Sequence, residues 1–275
     1  MIFTKTLRQT VEEHGLMAKK ALGQNFLLDQ NVTDKIIRLS LEKQSLKDLS
    51  NFDVLEIGPG PGGLTRAVLA QKPKSLTVIE MDERCIEIMN ELKLTAPCPM
   101  EILNADALKF DIAHLKPQKL QIVSNLPYNI SVPLLTGWLQ NTDKIEAMTL
   151  MFQKEVADRI CAPIKTKDYG RLSVLAQLVC DVQRLWTLNP ECFVPAPKVQ
   201  STVLLFKPLK NRPTNDVLQK VEKLTMAAFS QRRKMIRQSL KNVKDLENLC
   251  LKAGVSLTAR AEEITPQQYL LMAMG

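Results

Sequence analysis

Between residues 53 and 125 short apolar runs alternate with longer stretches of helical character. The runs are Val54-Leu55-Glu56-Ile57, Ser75 to Glu80, Met100 to Leu103 and Gln121 to Ser124, and residues 64–71 and 83–93 fall between them. Strand-length apolar segments alternating with helix-length ones predict a parallel sheet covered by helices on both faces. Further apolar runs near 147–152 and 201–207 would complete the sheet, and 154–161 and 170–181 carry helical spacing. After Phe206 the chain turns polar and proline-bearing, Lys207-Pro208-Leu209-Lys210-Asn211-Arg212-Pro213, which reads as a linker. Beyond it, 214–275 reads as helices only. The expected architecture is an α/β domain with a mostly parallel sheet over 1–208, followed by a small all-helical domain over 209–275.

A chain of 275 residues with 45% hydrophobic content has enough apolar material for a real core, so disorder is not expected. Its 37 Lys and Arg against 29 Asp and Glu leave a net charge of +8, which favours a polyanionic partner through counterion release. The six cysteines include no CxxC pair, so neither a zinc site nor a disulfide framework is expected. The amino terminus has no continuous apolar stretch, and no run of about 18 apolar residues occurs, so a soluble, cytoplasmic protein is expected. His14 and His114 are the only histidines and neither lies in a motif, which argues against Ser-His or Cys-His nucleophilic chemistry.

Candidate chemistry begins at Gly58-Pro59-Gly60-Pro61-Gly62-Gly63, a glycine-rich turn from strand to helix. In open α/β sheets ligands bind at the carboxyl ends of such strands, and glycine lets the backbone approach them closely. Four glycines in six residues exceed what a plain tight turn needs. The pattern departs from the strict dinucleotide fingerprint without excluding it. Glu80 ends the next strand about 20 residues on, where a carboxylate accepts from both ribose hydroxyls of an adenosine-containing ligand. The third strand ends in Asn104-Ala105-Asp106-Ala107. Asp106 is placed either to accept from an adenine amino group or to serve as a helix cap.

The fourth strand ends in Ser124-Asn125-Leu126-Pro127-Tyr128-Asn129. An amide, an apolar residue, a proline and an aromatic in this order suit methylation of an exocyclic amine. The lone pair of an adenine amino group is delocalised into the ring. Acceptors aimed at its hydrogens, the Asn125 side-chain oxygen and the Pro127 carbonyl, favour the pyramidal amine that attacks a sulfonium methyl. Proline fixes the local backbone, and Tyr128 offers a face for an extruded base. The competing reading is a structural turn with Tyr128 capping the core.

With these residues in place the chain resembles the ribosomal RNA small-subunit adenine N6,N6-dimethyltransferase family over nearly its whole length. Further matching segments are Lys19 to Asp29, Gln153 to Arg159, Tyr169 to Ser173, Phe193 to Val199 and Phe229 to Lys234. Leu22 stands where many members carry an aromatic or another apolar residue. The resemblance implies a Rossmann-like class I methyltransferase fold with a small C-terminal all-helical domain, and S-adenosylmethionine as cofactor. It implies that Asn25, Leu27, Gly58, Gly60, Glu80, Asp106 and Asn125 bind that cofactor. It further implies that Asn125, Leu126, Pro127 and Tyr128 hold the target amine and that Phe193 closes over the target base, the alternative for Phe193 being a core aromatic. The family adds two methyl groups to each of two adjacent adenines in a hairpin near the 3′ end of small-subunit RNA.

Arg232, Arg233, Lys234 and Arg237, with Lys241, fall within three turns of a predicted helix, and Lys19-Lys20 precede the Gln24-Asn25 segment. These cations are candidates to track RNA phosphates, or else form a solvated face. The expected partner is small-subunit ribosomal RNA or its precursor particle, bound by a monomer. Three rivals stay open: a resistance methyltransferase acting on large-subunit RNA, an assembly or transcription factor that has lost activity, and an ordinary dehydrogenase.

Overall fold

The computed structural model describes residues 5–16 and 24–275. Lys19, Lys20 and Leu22 lie outside the described residues. Two compact units emerge: Met1–Leu135 with Asp143–Lys154 and Arg184–Phe206, and Thr136–Thr142 with Glu155–Gln183 and Lys207–Gly275. The chain passes finally into the second unit at 207, beside the polar linker, and that unit also takes in 136–142 and 155–183.

The first unit opens with α1 (Leu7–Glu13), β1 (Phe26–Leu27) and α2 (Gln30–Gln44). Then follow β2 (Asp53–Ile57), α3 (Gly63–Leu69), β3 (Ser75–Glu80), α4 (Glu83–Lys93), β4 (Met100–Asn104) and β5 (Leu120–Asn125). After β5 come α5 (Ser131–Gln140), β6 (Ile145–Gln153), α6 (Lys154–Ile160), α7 (Arg171–Val179), β7 (Cys180–Leu188), β8 (Phe193–Val194) and β9 (Ser201–Pro208). The main sheet runs β4-β3-β2-β5-β6-β9-β7, and β1 pairs with β8 in a separate two-stranded ribbon. Strands β2 to β6 pair in parallel, and β9 runs antiparallel to β6. The expected mostly parallel sheet is therefore present. Its central strands are apolar on both faces because helices cover both: Val54, Leu55, Leu76, Val78 and Ile122 are all buried.

Local sequence explains the helix boundaries around the site. Asp82 accepts from the Arg84 N–H and starts α4, and Asp29 does the same for α2 through Asn31. Helix α2 stops at Ser45, which adopts a left-handed conformation with φ of 55°. The strand order reverses between β2 and β5. Their carboxyl ends diverge there, leaving the crevice in which open α/β sheets bind ligands.

The second unit contains α6, α7 and the chain beyond the linker: α8 (Asn215–Ser230), α9 (Ile236–Ser239), α10 (Leu246–Lys252) and α11 (Pro266–Met274). Its core holds Tyr169, Phe229 and Tyr269 with successive ring centroids 6.0 Å apart. Each buried phenol finds an acceptor: Tyr169 donates to the Ile264 carbonyl and Tyr269 to that of Ala261. Among the described residues no helix is long and apolar enough to cross a membrane.

The predicted helix carrying the basic cluster is corrected. Arg232, Arg233 and Lys234 lie in the turn between α8 and α9, and Arg237 lies within the four-residue α9. Met235 bridges to Arg260 as an isolated β pair. That pairing draws the backbone out of the helix that residue propensity alone would continue.

Candidate active site

A cavity of about 310 Å³ opens at the carboxyl ends of β2, β3, β4 and β5. All seven sequence-predicted cofactor residues line it: Asn25, Leu27, Gly58, Gly60, Glu80, Asp106 and Asn125. Leu126, Pro127 and Tyr128 line it as well. Residues as distant in sequence as Asn25 and Tyr128 are gathered here, those of β2 to β5 by the parallel strand order and Asn25 and Leu27 by the segment that carries β1.

The glycine loop is built from backbone that other residues adopt at a cost. Gly60 has φ of +56°, and a Cβ there would sit 3.0 Å from the Phe26 ring. Gly63 is more constrained: a Cβ would stand 2.4 Å from the Leu27 carbonyl oxygen. The segment carrying Asn25 and Leu27 thus packs directly on the start of α3. Gln24 extends this clasp by donating to Asp82 Oδ2 at 3.1 Å.

Glu80 is 9% exposed. Its Oε1 accepts from the N–H groups of Met81 at 2.7 Å and Asp82 at 2.9 Å, while Oε2 takes a longer 3.4 Å contact from the Gly60 N–H. Burial raises its pKa, and the backbone donors of Asp82, Met81 and Gly60 oppose the rise. Oε2, the less engaged oxygen, is the one suited to accept from a ligand. Asp106 accepts from the Leu108 N–H at 3.0 Å through Oδ1, and Oδ2 lies 3.8 Å from Lys109 Nζ. It caps a turn and also lines the pocket.

Asn125 donates through Nδ2 to the Asn25 carbonyl at 3.1 Å. That bond fixes which end of the amide is which, and leaves Oδ1 as an acceptor at the pocket. Ser124 beside it donates to the Ile57 carbonyl at 2.7 Å, tying the end of β5 to the end of β2. The Pro127 carbonyl accepts from the Ile130 N–H at 3.1 Å and keeps its second lone pair. The Tyr128 hydroxyl shares a 2.7 Å hydrogen bond with Ser201, and burial raises the phenol pKa against the opposing effect of that bond.

Two predicted residues sit differently. Phe193, 2% exposed, pairs with Leu27 across β8 and β1 and belongs to the hydrophobic core instead of the cavity wall. Arg232 spends its guanidinium inside its own unit, donating to Glu262 and to the carbonyls of Lys167 and Thr166. Arg233, Lys234 and Arg237 are exposed.

Sequence reasoning missed Glu56. Its side chain lines the cavity, is 1% exposed, and its Oε2 has no hydrogen-bond partner among the described residues. Burial pushes its pKa up to about 8, opposed by the Thr65 hydroxyl and assisted by the charge of Glu80. The available signal was a carboxylate inside an otherwise apolar strand, since an unpaired Glu is almost never fully buried. Met81 and Leu108, 56% and 48% exposed, add apolar surface to the cavity and were also missed.

The model of the ribosomal RNA adenine dimethylase family matches residues 15–274 of the chain. A ribosomal RNA small subunit methyltransferase A from Rhodospirillum rubrum is 45% identical over 267 residues, covering 97% of this chain and 91% of that one. Among solved structures, a dimethyladenosine transferase from Plasmodium falciparum superposes with a TM-score of 0.73 at 25% identity, over 89% of this chain and 94% of that one. The 23S rRNA methyltransferase ErmE gives a TM-score of 0.68 at 25% identity, over 91% of this chain and 98% of that one.

Proposed function

The chain belongs to the ribosomal RNA adenine dimethylase family, and from that premise we infer that its cavity transfers methyl groups from S-adenosylmethionine to the N6 amines of two adjacent adenosines in small-subunit ribosomal RNA. The fold is that of a class I methyltransferase and the enzyme is an S-adenosylmethionine-dependent ribosomal RNA methyltransferase. The finer reading places the target adenosines in a hairpin near the 3′ end of the RNA, acts on the free RNA or precursor particle, and uses a monomer.

The residues of the cavity fit the cofactor. Glu80 Oε2 suits the ribose hydroxyls, Asp106 the adenine amino group, and Met81 with Leu108 the faces of its ring. Glu56, a buried carboxyl with an unpartnered oxygen, suits the ammonium of the methionine moiety. When bound, the cofactor supplies an electrophilic methyl group on a sulfonium.

The observation that carries the reading is the Asn125 amide. Its nitrogen is committed to the Asn25 carbonyl, so its oxygen is presented as an acceptor beside the Pro127 carbonyl and the Tyr128 ring. The two oxygens accept the hydrogens of an adenine amine and direct its lone pair outward. They also stabilise positive charge on that nitrogen as the carbon–nitrogen bond forms, in a site already organised to do so. Tyr128, held by Ser201, gives the extruded base a stacking face. Among the described residues no histidine lines the cavity, and this arrangement requires no general base.

The large-subunit rival shares the fold, as ErmE demonstrates, but the 45% identity to a small-subunit enzyme favours the small-subunit substrate. The test is transfer of tritiated methyl into separated, unmodified small and large subunits, with the nucleoside identified by mass. Dimethyladenosine in small subunits is expected; label confined to large subunits overturns the assignment.

A further inference from the structure

At the opposite end of the sheet, where β2, β3 and β5 begin, the first unit carries a second concentration of positive charge. Two neighbouring cavities of about 630 and 210 Å³ share Lys74 and Gln118 in their walls. Lys47 and Lys119 border the larger and Lys116 the smaller, and Lys72 is exposed two residues from Lys74. Neutral polar side chains, among them Asn51 and Thr77, line the same cavities.

The nearby carboxylates leave most of this charge uncompensated. Asp48 is bound by the Ser50 N–H and hydroxyl, at 3.0 and 2.6 Å. Asp53 accepts from the Ser75 hydroxyl at 2.8 Å and the Gln118 N–H at 3.1 Å, and reaches only Lys74, at 4.0 Å. Among the described residues Lys47, Lys72, Lys116 and Lys119 form no ion pair. Ammonium groups interspersed with neutral donors match phosphodiester oxygens, which position a nucleic acid without reading its sequence.

We propose that this lysine edge, Lys47, Lys72, Lys74, Lys116 and Lys119, is a second RNA-backbone contact surface, separate from the catalytic crevice. The proposal rests on the reading of the protein as an RNA methyltransferase. Strand β2 spans five residues, so at roughly 3.3 Å per residue the two edges lie about 16 Å apart. A short hairpin lodged at the crevice leaves the lysine edge bare, whereas a large structured RNA has backbone to offer at both. The surface therefore favours the subunit-sized substrate over the isolated hairpin.

The test compares wild type with a quadruple variant, K47Q/K72Q/K116Q/K119Q, and its arginine counterpart. Three probes are used: a short adenine-bearing hairpin, protein-free small-subunit RNA and intact small subunits. In the glutamine variant, affinity for protein-free RNA should fall at least about tenfold and the slope of log affinity against log salt should become shallower by about 2 to 3. Hairpin affinity and S-adenosylmethionine affinity should not change, and the arginine variant should bind as wild type. Unchanged affinity and slope with protein-free RNA overturn the proposal. A loss seen only with intact subunits also overturns it, assigning the surface to an acidic protein. If wild type binds and methylates no ribosomal RNA, the functional reading itself has failed and the proposal with it.

Discussion

Glu56 joins stability to ligand binding through one proton. Its carboxyl is held near 8, against an ordinary value of 4.5, chiefly by burial. The folded protein therefore binds this proton more tightly than the unfolded chain does. Its contribution to stability is fully present below about 4.5 and is lost as pH rises through about 8. For the ligand-free protein the loss is on the order of a few kcal/mol. Glu56→Gln should raise the melting temperature at pH 9 and flatten its pH dependence. If Glu56 holds the cofactor ammonium, the same variant should weaken S-adenosylmethionine at least about tenfold, the loss expected when a charged hydrogen-bond partner is removed. Wild-type affinity should tighten from pH 6.5 to 8, and calorimetric titration of the variant should show that slope gone. Most of the site was legible residue by residue, because glycines, Glu80, Asp106 and the Asn125–Tyr128 segment each end a recognisable strand. Glu56 was not, since inside Val54-Leu55-Glu56-Ile57 it reads as a strand position whose side-chain surroundings only the fold defines. Phe193 stayed open between two readings for the complementary reason: its place in the sequence says nothing of the pairing with Leu27 that buries it.

At the level of elements, the contact between β1 and α3 explains how the Asn25–Leu27 segment is held at the cavity. Gly63→Ala would place a methyl group 2.4 Å from the Leu27 carbonyl, and overpacking of this kind costs about 1–3 kcal/mol. The expected result is a lower melting temperature together with weakened cofactor binding, because β1 must move. Gly137, within α5, has open space for 4 Å around the point where a methyl group would sit, so Gly137→Ala should instead stabilise by about 0.5–1 kcal/mol. The strands β2, β3, β5 and β6 were readable from their buried apolar runs, and the edge strand β4 from Met100, Ile102 and Leu103 although it is only partly buried. Strand β7 was not: Asp181-Val182-Gln183-Arg184 lies at the sheet edge and shows neither alternation nor a continuous apolar run. Helix α2 is amphipathic, burying Ile36, Ile37 and Leu41, but carries no chemical motif that marks it in sequence.

Across the whole molecule, cations divide into those that hold the fold and those that face solvent. Arg232→Ala should lower the melting temperature, by about 1–2 kcal/mol in stability, since it removes charged hydrogen bonds to Glu262, Lys167 and Thr166. Arg233→Ala with Lys234→Ala should leave melting unchanged and, if these exposed residues contact phosphates, make RNA binding less salt-dependent by about 1.5 in slope. Net charge announced a polyanionic partner, but could not separate these roles because both classes read alike in sequence. The central claim, that this cavity dimethylates adjacent adenosines of small-subunit RNA, is tested most directly by mass analysis of the 3′-terminal fragment of unmodified small subunits after incubation with S-adenosylmethionine and either wild type or Asn125→Ala. Two neighbouring dimethyladenosines with wild type and none with the variant is the expected result; an unmodified fragment with wild type, or equal modification by the variant, would contradict it.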